Sequence, residues 1–200
     1  GKQIGSGKVV QIMGDLASVN GRDRSEAFRA CVRKNFPKLK VLEIPAKWES
    51  DTAASKLDTL LNANPDIQGI YMQAGGVFLA PTLQVLQQKN LLVPPGDPKH
   101  IAIVSNDGIK QELDGIKNGQ IDATVSQPAD AYAQWGLYYA KAAAEGKTFQ
   151  PGPTDHDSNI ISLPNGLEDQ LPAPLVTKTA GTFGEFKSVF YVLHVYNALA

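Results

Sequence analysis

The sequence predicts an α/β protein built on a doubly wound parallel sheet, with five strands and flanking helices. From Lys8 onward, short apolar runs typical of buried strands alternate with amphipathic patterns typical of helices. The alternation recurs about every thirty residues, the size of a strand–helix–strand unit. The chain has 200 residues, 42% of them hydrophobic, enough to bury the core of one domain, or of one lobe and part of another.

Composition excludes several classes of protein. Nineteen basic and twenty acidic residues give a formal net charge of -1 without a basic block, which argues against nucleic acid as a partner. No apolar run approaches the ~20 residues of a transmembrane helix, and the sequence opens at Gly1 without a signal peptide. Cys31 is the single cysteine, so an internal disulfide and a cysteine-based zinc site are excluded.

No catalytic residue, metal or cofactor is predicted. The N-terminal GKQIGSGK lacks the first glycine and the hydroxyl residue of a phosphate-binding loop, and no GxGxxG pattern follows the first strand. The loop Asp155-His156-Asp157 offers too few converging ligands for a metal. A nucleophile elbow is also absent from the sequence. The sequence therefore does not predict an enzyme.

The elements follow one another in a regular order. Strands are predicted at Val9–Met13, Val41–Ile44, Ile67–Met72, Ile101–Val104 and Ile121–Val125. Helices are predicted at about Arg22–Asn35, from Ser50 or Asp51 to Ala63, up to Lys89, at Gly108–Lys117 and at Ala129–Glu145. The first helix is expected to bury Ala27, Phe28, Cys31 and Val32. The last helix has apolar residues on two sides, among them Ala133, Leu137 and Ala140 on one and Tyr132 and Tyr139 on the other, so it needs a covering partner.

Polar and aromatic residues follow the strands at their carboxyl ends, where open α/β sheets bind ligands. A guanidinium, carboxamides and a carboxylate can bond hydroxyl groups, and an indole can cover the apolar face of a ring. The members of this set are Asn20, Arg22, Trp48, Gln73, Asn106, Asp107 and Gln127.

Each member of the set also has a structural interpretation. Asp107 can instead cap the helix that follows it, and Trp48 can pack on the domain surface. Arg22 can pair with Asp15 or Glu26 as a solvated ion pair. The two glutamines can satisfy backbone groups of their own loops. The residue types alone leave these alternatives open.

An ordered set of motifs in this chain resembles a known family. The motifs are Gly14, Asn20-Gly21-Arg22-x-Arg24, Trp48, Asn64-Pro65-Asp66-Ile67, Asn106-Asp107-Gly108, Gly119–Thr124 and Gln127-Pro128. Over residues 8–178 the chain resembles the C-terminal lobe of the periplasmic sugar-binding proteins of the ribose- and galactose-binding type, the receptors of ABC importers. The resemblance implies that Arg22, Trp48, Asp107 and Gln127 hold a sugar.

The resemblance also implies a domain organisation. Residues 1–127 correspond to the sugar-binding C-terminal lobe, residues 128–163 to a crossover helix and strand of the other lobe, and residues 164–178 to a return segment at the hinge. The N-terminal lobe of the family is mostly missing from the sequence. Residues 179–200 form an apolar, roughly helical tail that does not match the family. Ala74 replaces a frequent asparagine, so one hydroxyl contact is lost or is supplied by Gln73.

The resemblance implies a non-enzymatic receptor that closes two lobes around a small-molecule sugar and serves the membrane permease of an ABC importer. It implies a periplasmic location, or an extracellular one with a lipid anchor. Two other functions stay open: the effector-binding core of a sugar-responsive transcription repressor, and an α/β enzyme that acts on a sugar or nucleotide. Residues 128–163 and the apolar tail are expected to bury apolar surface against each other or against a second copy of the chain, so that dimers or larger species form.

Overall fold

The computed structural model of the chain describes residue 1, residues 4–178 and the backbone of residues 189–195. The chain divides into two compact units. The larger unit comprises residues 1–125 and 176–181, and the smaller unit comprises residues 126–175 and 182–200.

The larger unit is a sheet flanked by helices. Its elements are β1 (Gly7–Met13), α1 (Val19–Asn35), β2 (Leu39–Pro45), α2 (Ser50–Ala63), β3 (Ile67–Met72), α3 (Gly75–Gln88), β4 (Ala102–Asp107), α4 (Lys110–Asn118), β5 (Ala123–Ser126) and β9 (Leu175–Thr177). The strand order is β2-β1-β3-β4-β5-β9. β1 pairs in parallel with β2 and β3, and β3 pairs in parallel with β4. The predicted doubly wound parallel sheet is confirmed, and β9 is a sixth strand that the sequence analysis did not predict.

Both faces of this sheet carry core residues. Neighbouring residues of a strand point to opposite faces. Val10 and Ile12 of β1 belong to the main core, together with buried residues of α2, α3 and α4, whereas Val9 packs with Val32 of α1. α1 therefore covers one face and the other three helices cover the opposite face. Burial on both faces explains why β1 reads as a continuous apolar run.

Helix α1 turns a different stripe toward the sheet than the sequence pattern predicted. Its buried residues are Gly21, Ser25 and Val32. Ala27 and Cys31 are exposed, so the prediction that they lie in the core is wrong. The reason is helical phase, since residues 21, 25, 28 and 32 share one face. The backbone carbonyl of Asp15 occupies the space that a Cβ at Gly21 would need, so a small residue there lets α1 approach the loop after β1.

The smaller unit is an antiparallel sheet with one helix. Its elements are α5 (Ala129–Ala144), β6 (Gly152–Pro153), β7 (Asn159–Leu163), β8 (Gly166–Ala173) and β10 (Val189–Val195). The strand order is β10-β8-β7-β6, and neighbouring strands pair antiparallel. A short turn joins β7 to β8, so these two strands form a hairpin.

The tail contains a strand where the sequence pattern predicted a helix. Val189–Val195, which includes Phe190 and Leu193, pairs with β8. The predicted helical residues Phe183 and Phe186 lie outside the described residues. The prediction failed because FYVLHV is rich in β-branched and aromatic residues, and β8 offers backbone groups that need partners.

Helix α5 buries one of its two apolar sides within the smaller unit. Tyr139 and Ala142 are buried, whereas Leu137 is 73% exposed and Tyr138 is 45% exposed. The side that carries Leu137 is therefore open to solvent in the chain. Among the described residues, no helix is both long and apolar enough to cross a membrane.

Candidate functional site

The loops that follow β1, β2, β3 and β4 lie together at one end of the larger unit, which we name the carboxyl edge. The Ala46 N–H donates to the Met13 carbonyl (3.0 Å), and the Gln73 N–H donates to the Ile12 carbonyl (3.1 Å). The parallel pairing thus continues one residue beyond β2 and β3. The loops of the carboxyl edge are held in register by the strands that they follow.

Asp107 ends β4 at this edge in an unusual backbone conformation. Its φ is 132°, and Gly108 follows with φ of 73°. Its carboxylate Oδ2 accepts a hydrogen bond from the Gly76 N–H at 2.9 Å. Asp107 therefore caps α3, not the helix that follows it, where Ile109 is the N-cap residue. The positive end of the α3 dipole favours the negative charge of this carboxylate.

Trp48 follows β2 and lies half-buried at the same edge. Lys47 and Trp48 both have positive φ, of 53° and 65°, so the loop turns sharply and directs the indole back over the strands. The indole lies against Gly14, where it leaves no room for a Cβ. It also stacks on Phe78 with ring centroids 6.1 Å apart and planes 13° apart. The indole thus has a fixed orientation and keeps part of its surface accessible.

The start of α1 contributes Asn20, Arg22 and Arg24, which differ in their surroundings. Asn20 and Arg22 are exposed, and Arg22 pairs with Asp23 at 3.2 Å, not with either acid that the sequence suggested. Arg24 is half-buried, and its Nη1 donates to the Gln73 carbonyl at 2.5 Å. The guanidinium that contacts the carboxyl edge is therefore that of Arg24.

Gln73 is completely buried under the edge. Its Nε2 donates to the Ser25 Oγ (2.6 Å), and its Oε1 accepts from the Gly14 N–H (2.8 Å). The amide thus ties α1 to the loop after β1, and both of its polar atoms have partners inside the larger unit. The structural alternative applies, and Gln73 supports the site without facing it.

Asn106 is also buried, with 4% of its surface exposed. Its Nδ2 donates to the Tyr71 hydroxyl at 3.0 Å, and the Tyr71 ring stacks on Phe28 with centroids 4.5 Å apart. Burial raises the pKa of Tyr71 to about 12, so the hydroxyl keeps its proton. Asn106 thus joins β4 to β3 beside Asp107.

With this geometry established, comparison with known proteins identifies the family. A family profile described as "Periplasmic binding protein domain" matches residues 1–148. The chain belongs to this family. It is 26% identical over 151 residues to the ribose import binding protein of Escherichia coli, covering 74% of this chain and 48% of the relative. It is 25% identical over 161 residues to the D-apiose import binding protein of Paraburkholderia graminis, covering 80% and 49%.

Solved structures agree on the fold of this periplasmic binding protein domain. An ABC transporter solute-binding protein from Actinobacillus succinogenes with bound D-allose has a TM-score of 0.70 at 17% identity, covering 88% of this chain and 54% of that one. A solute-binding protein from Bacillus halodurans with bound myo-inositol also has a TM-score of 0.70, at 18% identity, covering 90% and 54%. The chain spans about half the length of the curated relatives it matches.

The structure of this periplasmic binding protein domain sorts the predicted residues into groups. Trp48 and Asp107 lie at the carboxyl edge. Asn20 and Arg22 lie exposed at the start of α1, and Gln127 lies just after β5 in the smaller unit. Gln73 and Asn106 are buried beneath the edge and hold its loops together.

Sequence reasoning missed Arg24, which contacts the edge, and Glu112, which lies buried beneath it. The motif Arg22-x-Arg24 contains two arginines, and the sequence alone did not show which one faces the sheet. Glu112 is completely buried in the first turn of α4, where a charged residue ordinarily faces solvent. Among the described residues, no group of three or more His, Cys, Asp or Glu side chains is placed to hold a metal ion.

Proposed function

We propose that the chain is the ligand-binding part of a sugar receptor that serves the membrane permease of an ABC importer, and that it is not an enzyme. One observation carries the proposal: the Asp107 carboxylate is fixed at the same edge as the accessible indole of Trp48. Relatives are named as ribose and D-apiose import binding proteins and as a xylitol-binding protein. Ribose, D-apiose and xylitol are small polyhydroxylated molecules, and a carboxylate beside an indole can bind such molecules through their hydroxyl groups and apolar faces.

Each residue has a chemical role in this proposal. The Asp107 carboxylate accepts hydrogen bonds from sugar hydroxyls, which are stronger than bonds to a neutral acceptor. The Arg24 guanidinium donates to ring or hydroxyl oxygens, and the Trp48 indole covers the apolar face of the sugar. Asn20, Arg22 and Gln127 remain proposed contacts. A periplasmic or lipid-anchored extracellular location follows from the same proposal.

The domain boundaries are part of the proposal as well. Residues 1–127 form the sugar-binding lobe, residues 128–163 belong to the opposite lobe, residues 164–178 return at the hinge, and residues 179–200 form the tail. The compact units support this organisation, since the larger one ends its first segment at Val125.

The experiment is a titration of the ¹⁵N-labelled chain with D-ribose, D-apiose, xylitol, D-allose and myo-inositol, each to millimolar concentration so that weak binding is detected. We expect at least one of them to shift the amide signals of Asp107 and Gly108 and the indole signal of Trp48. Asp107→Asn should abolish these shifts, because an amide replaces one acceptor oxygen with a donor. Asp114→Asn is the matched control, since Asp114 is exposed on α4 and pairs with Lys110, one turn away, at 2.5 Å.

Two outcomes would contradict the proposed function. One is that no compound shifts the carboxyl edge. The other is that Asp107→Asn and Asp114→Asn respond equally, because Asp107 would then serve only as a cap of α3.

A further inference from the structure

Glu112 lies completely buried beneath the carboxyl edge and accepts hydrogen bonds from three different places. Its Oε1 accepts from the Ser105 hydroxyl on β4 and from the Thr124 hydroxyl on β5, the latter at 2.9 Å. Its Oε2 accepts from the Ile109 N–H at 2.8 Å. A buried carboxyl group is costly unless it is hydrogen-bonded, and these donors meet that requirement.

The same carboxylate also contacts the beginning of α3. Its Oε1 fills the space that a Cβ at Gly75 would need. The next residue, Gly76, donates its N–H to Asp107, and a Cβ there would lie 3.4 Å from the same Asp107 Oδ2. Two successive glycines of α3 thus rest on two carboxylates, Glu112 beneath and Asp107 at the edge.

Glu112 accepts hydrogen bonds from both sides of the turn that carries Asp107. Ser105 precedes Asp107 by two residues and Ile109 follows it by two, and both donate to Glu112. Between them, Asp107 has φ of 132°, a conformation that a residue other than glycine keeps only when its surroundings hold it. An ordinary capping glutamate contacts its own helix end and stays at the surface, whereas Glu112 reaches β4, β5 and α3.

We propose that Glu112 is the positioning residue of the candidate site: it locks the Asp107 turn against the start of α3, so that the Asp107 carboxylate is presented at the carboxyl edge. The role of the Asp107 carboxylate in binding rests on the proposed function, but the locking of the turn by Glu112 does not. Glu112 does not touch the ligand, and it acts through Asp107 and Gly76.

The electrostatics of the pocket give the proposal a signature. Burial raises the pKa of Glu112 above its usual value of 4.5, the hydrogen bonds from Ser105, Ile109 and Thr124 lower it, and the charge of Asp107 raises it further. On acidification Glu112 takes up a proton before an exposed glutamate does. The protonated group loses charge, so its hold on Ile109 weakens.

The test compares Glu112→Gln with Glu43→Gln in the full chain by amide hydrogen exchange and by a pH titration of amide shifts. Glu43 is an exposed residue of β2 that pairs with Arg29 at 3.2 Å, so it controls for the loss of one charge. In Glu112→Gln we expect the Gly76 and Ile109 amides to exchange roughly tenfold faster or more, the change expected for losing a hydrogen bond to a charged group. Amides of the core strands should not change. In the unmodified chain the Ile109 amide should titrate with a midpoint above 4.5, and Glu112→Gln should remove that step.

A second variant keeps the proposal falsifiable if Glu112→Gln does not fold. Thr124→Val preserves side-chain shape but removes one donor to Oε1, so it should raise the midpoint of the Ile109 titration and speed exchange at Gly76 by a smaller factor. Unchanged exchange at Gly76 in either variant would overturn the proposal. A uniform increase in exchange throughout the larger unit would also overturn it, because Glu112 would then only stabilise the fold. None of these readouts needs a sugar, so failure of the positioning role is separate from failure of the sugar titration.

Discussion

Glu112 of the larger unit and Asp169 of the smaller unit are both completely buried carboxylates in hydrogen-bond networks, and the two networks differ in charge. In the larger unit, Glu112 accepts from two hydroxyls and a backbone N–H. In the smaller unit, Asp169 is also fully buried and accepts from Tyr139 (3.0 Å), Ser158 (2.5 Å) and the Nε2 of His156 (2.9 Å). The second network thus contains a group that can carry a positive charge.

Both ring nitrogens of His156 have carboxylate partners, and one face of the ring is stacked. The other ring nitrogen faces the Asp155 carboxylate at 2.9 Å, and the ring stacks on Trp135 with centroids 3.5 Å apart. Both nitrogens face acceptors, so both donate when the ring is protonated. The Asp169 network joins α5, the loop after β6 and β8 within one unit, whereas the Glu112 network ends at Asp107 and the carboxyl edge. Burial of an acid therefore stabilises the fold of the smaller unit, whereas in the larger unit it places a second acid, Asp107, at the carboxyl edge.

The largest expected effect is the removal of Asp169. Asp169→Ala leaves His156, Tyr139 and Ser158 without their shared acceptor, and breaking a buried ion pair from one side costs about 3–5 kcal/mol. Urea unfolding should show this loss in a Trp48→Phe background, where Trp135 is the fluorescent reporter for the smaller unit. Asp130→Ala, at an exposed position of α5, should change the free energy of unfolding little. A loss below about 1 kcal/mol would be typical of a surface ion pair, and it would contradict the stabilising role of the Asp169 network.

A smaller effect is expected from two glycines, one in each unit. Gly14→Ala places a methyl group where the Trp48 indole lies, so the indole must move, and overpacking of this kind costs about 1–3 kcal/mol. The fluorescence of Trp48 should change with it in a Trp135→Phe background.

Gly136→Ala is the matched control for that substitution. A Cβ at Gly136 of α5 meets open space, and the better helix propensity of alanine should stabilise by about 0.5–1 kcal/mol. Equal responses of the two variants would show that Gly14 is not required by the placement of Trp48.

How much of this could be read from the sequence depended on the range of the interaction. Strands buried on both faces were readable because their apolar runs are local and continuous. The burial of Cys31 was predicted wrongly, because the correct and the incorrect stripe of α1 differ by one residue in phase. The roles of Gln73 and Asn106 depend on Ser25 and Tyr71, which lie 48 and 35 residues away in sequence.

The burial of Glu112 and the strand in the tail were not predicted for a different reason: a local sequence pattern gives only the usual environment of a residue type. A glutamate at the start of a helix ordinarily faces solvent, so the periodic pattern gave no reason to bury Glu112. The apolar tail fits a helical period and a strand equally over a short run, and only pairing with β8 decides the outcome. Arg24 was passed over because both arginines of its motif lie in the first two turns of α1.

The two networks should also respond to pH in different windows. Burial opposes the charge on His156, but its hydrogen bonds to Asp169 and Asp155 outweigh burial and raise its pKa above 6.5. A raised pKa means that the folded state binds the proton more tightly, so the stabilisation is complete below pH 6.5 and is lost as pH rises through the folded value. The pKa of Glu112 is also raised, so the stability that this group contributes falls as pH rises from 4.5 through its folded pKa.

The check is the free energy of unfolding as a function of pH, followed separately by Trp135 and by Trp48 in the single-tryptophan variants. We expect His156→Gln to flatten the dependence above pH 6.5 only in the Trp135 signal. In the part of the chain that the structure describes, the charged and titratable groups around His156 are Asp155, Asp169 and Tyr139. If His156→Gln left the profile unchanged, the imidazole would not be the source of the dependence.

The smallest effect on stability is expected at the exposed side of α5. Leu137 is 73% exposed, so Leu137→Ser removes little buried surface and should change the free energy of unfolding by less than about 0.5 kcal/mol. An apolar side chain in water favours contact with another apolar surface, and we expect the chain to self-associate through this side. Sedimentation at several protein concentrations should therefore show a smaller associated fraction for Leu137→Ser than for the unmodified chain, with Lys141→Ala, at another exposed position of α5, leaving it unchanged. If both variants and the parent chain sediment as a monomer throughout, the open side of α5 is not a self-association surface. The difference from Asp169 would then be larger: the buried acid that bonds to α5 would determine the stability of the unit, whereas the exposed leucine of the same helix would affect neither stability nor association.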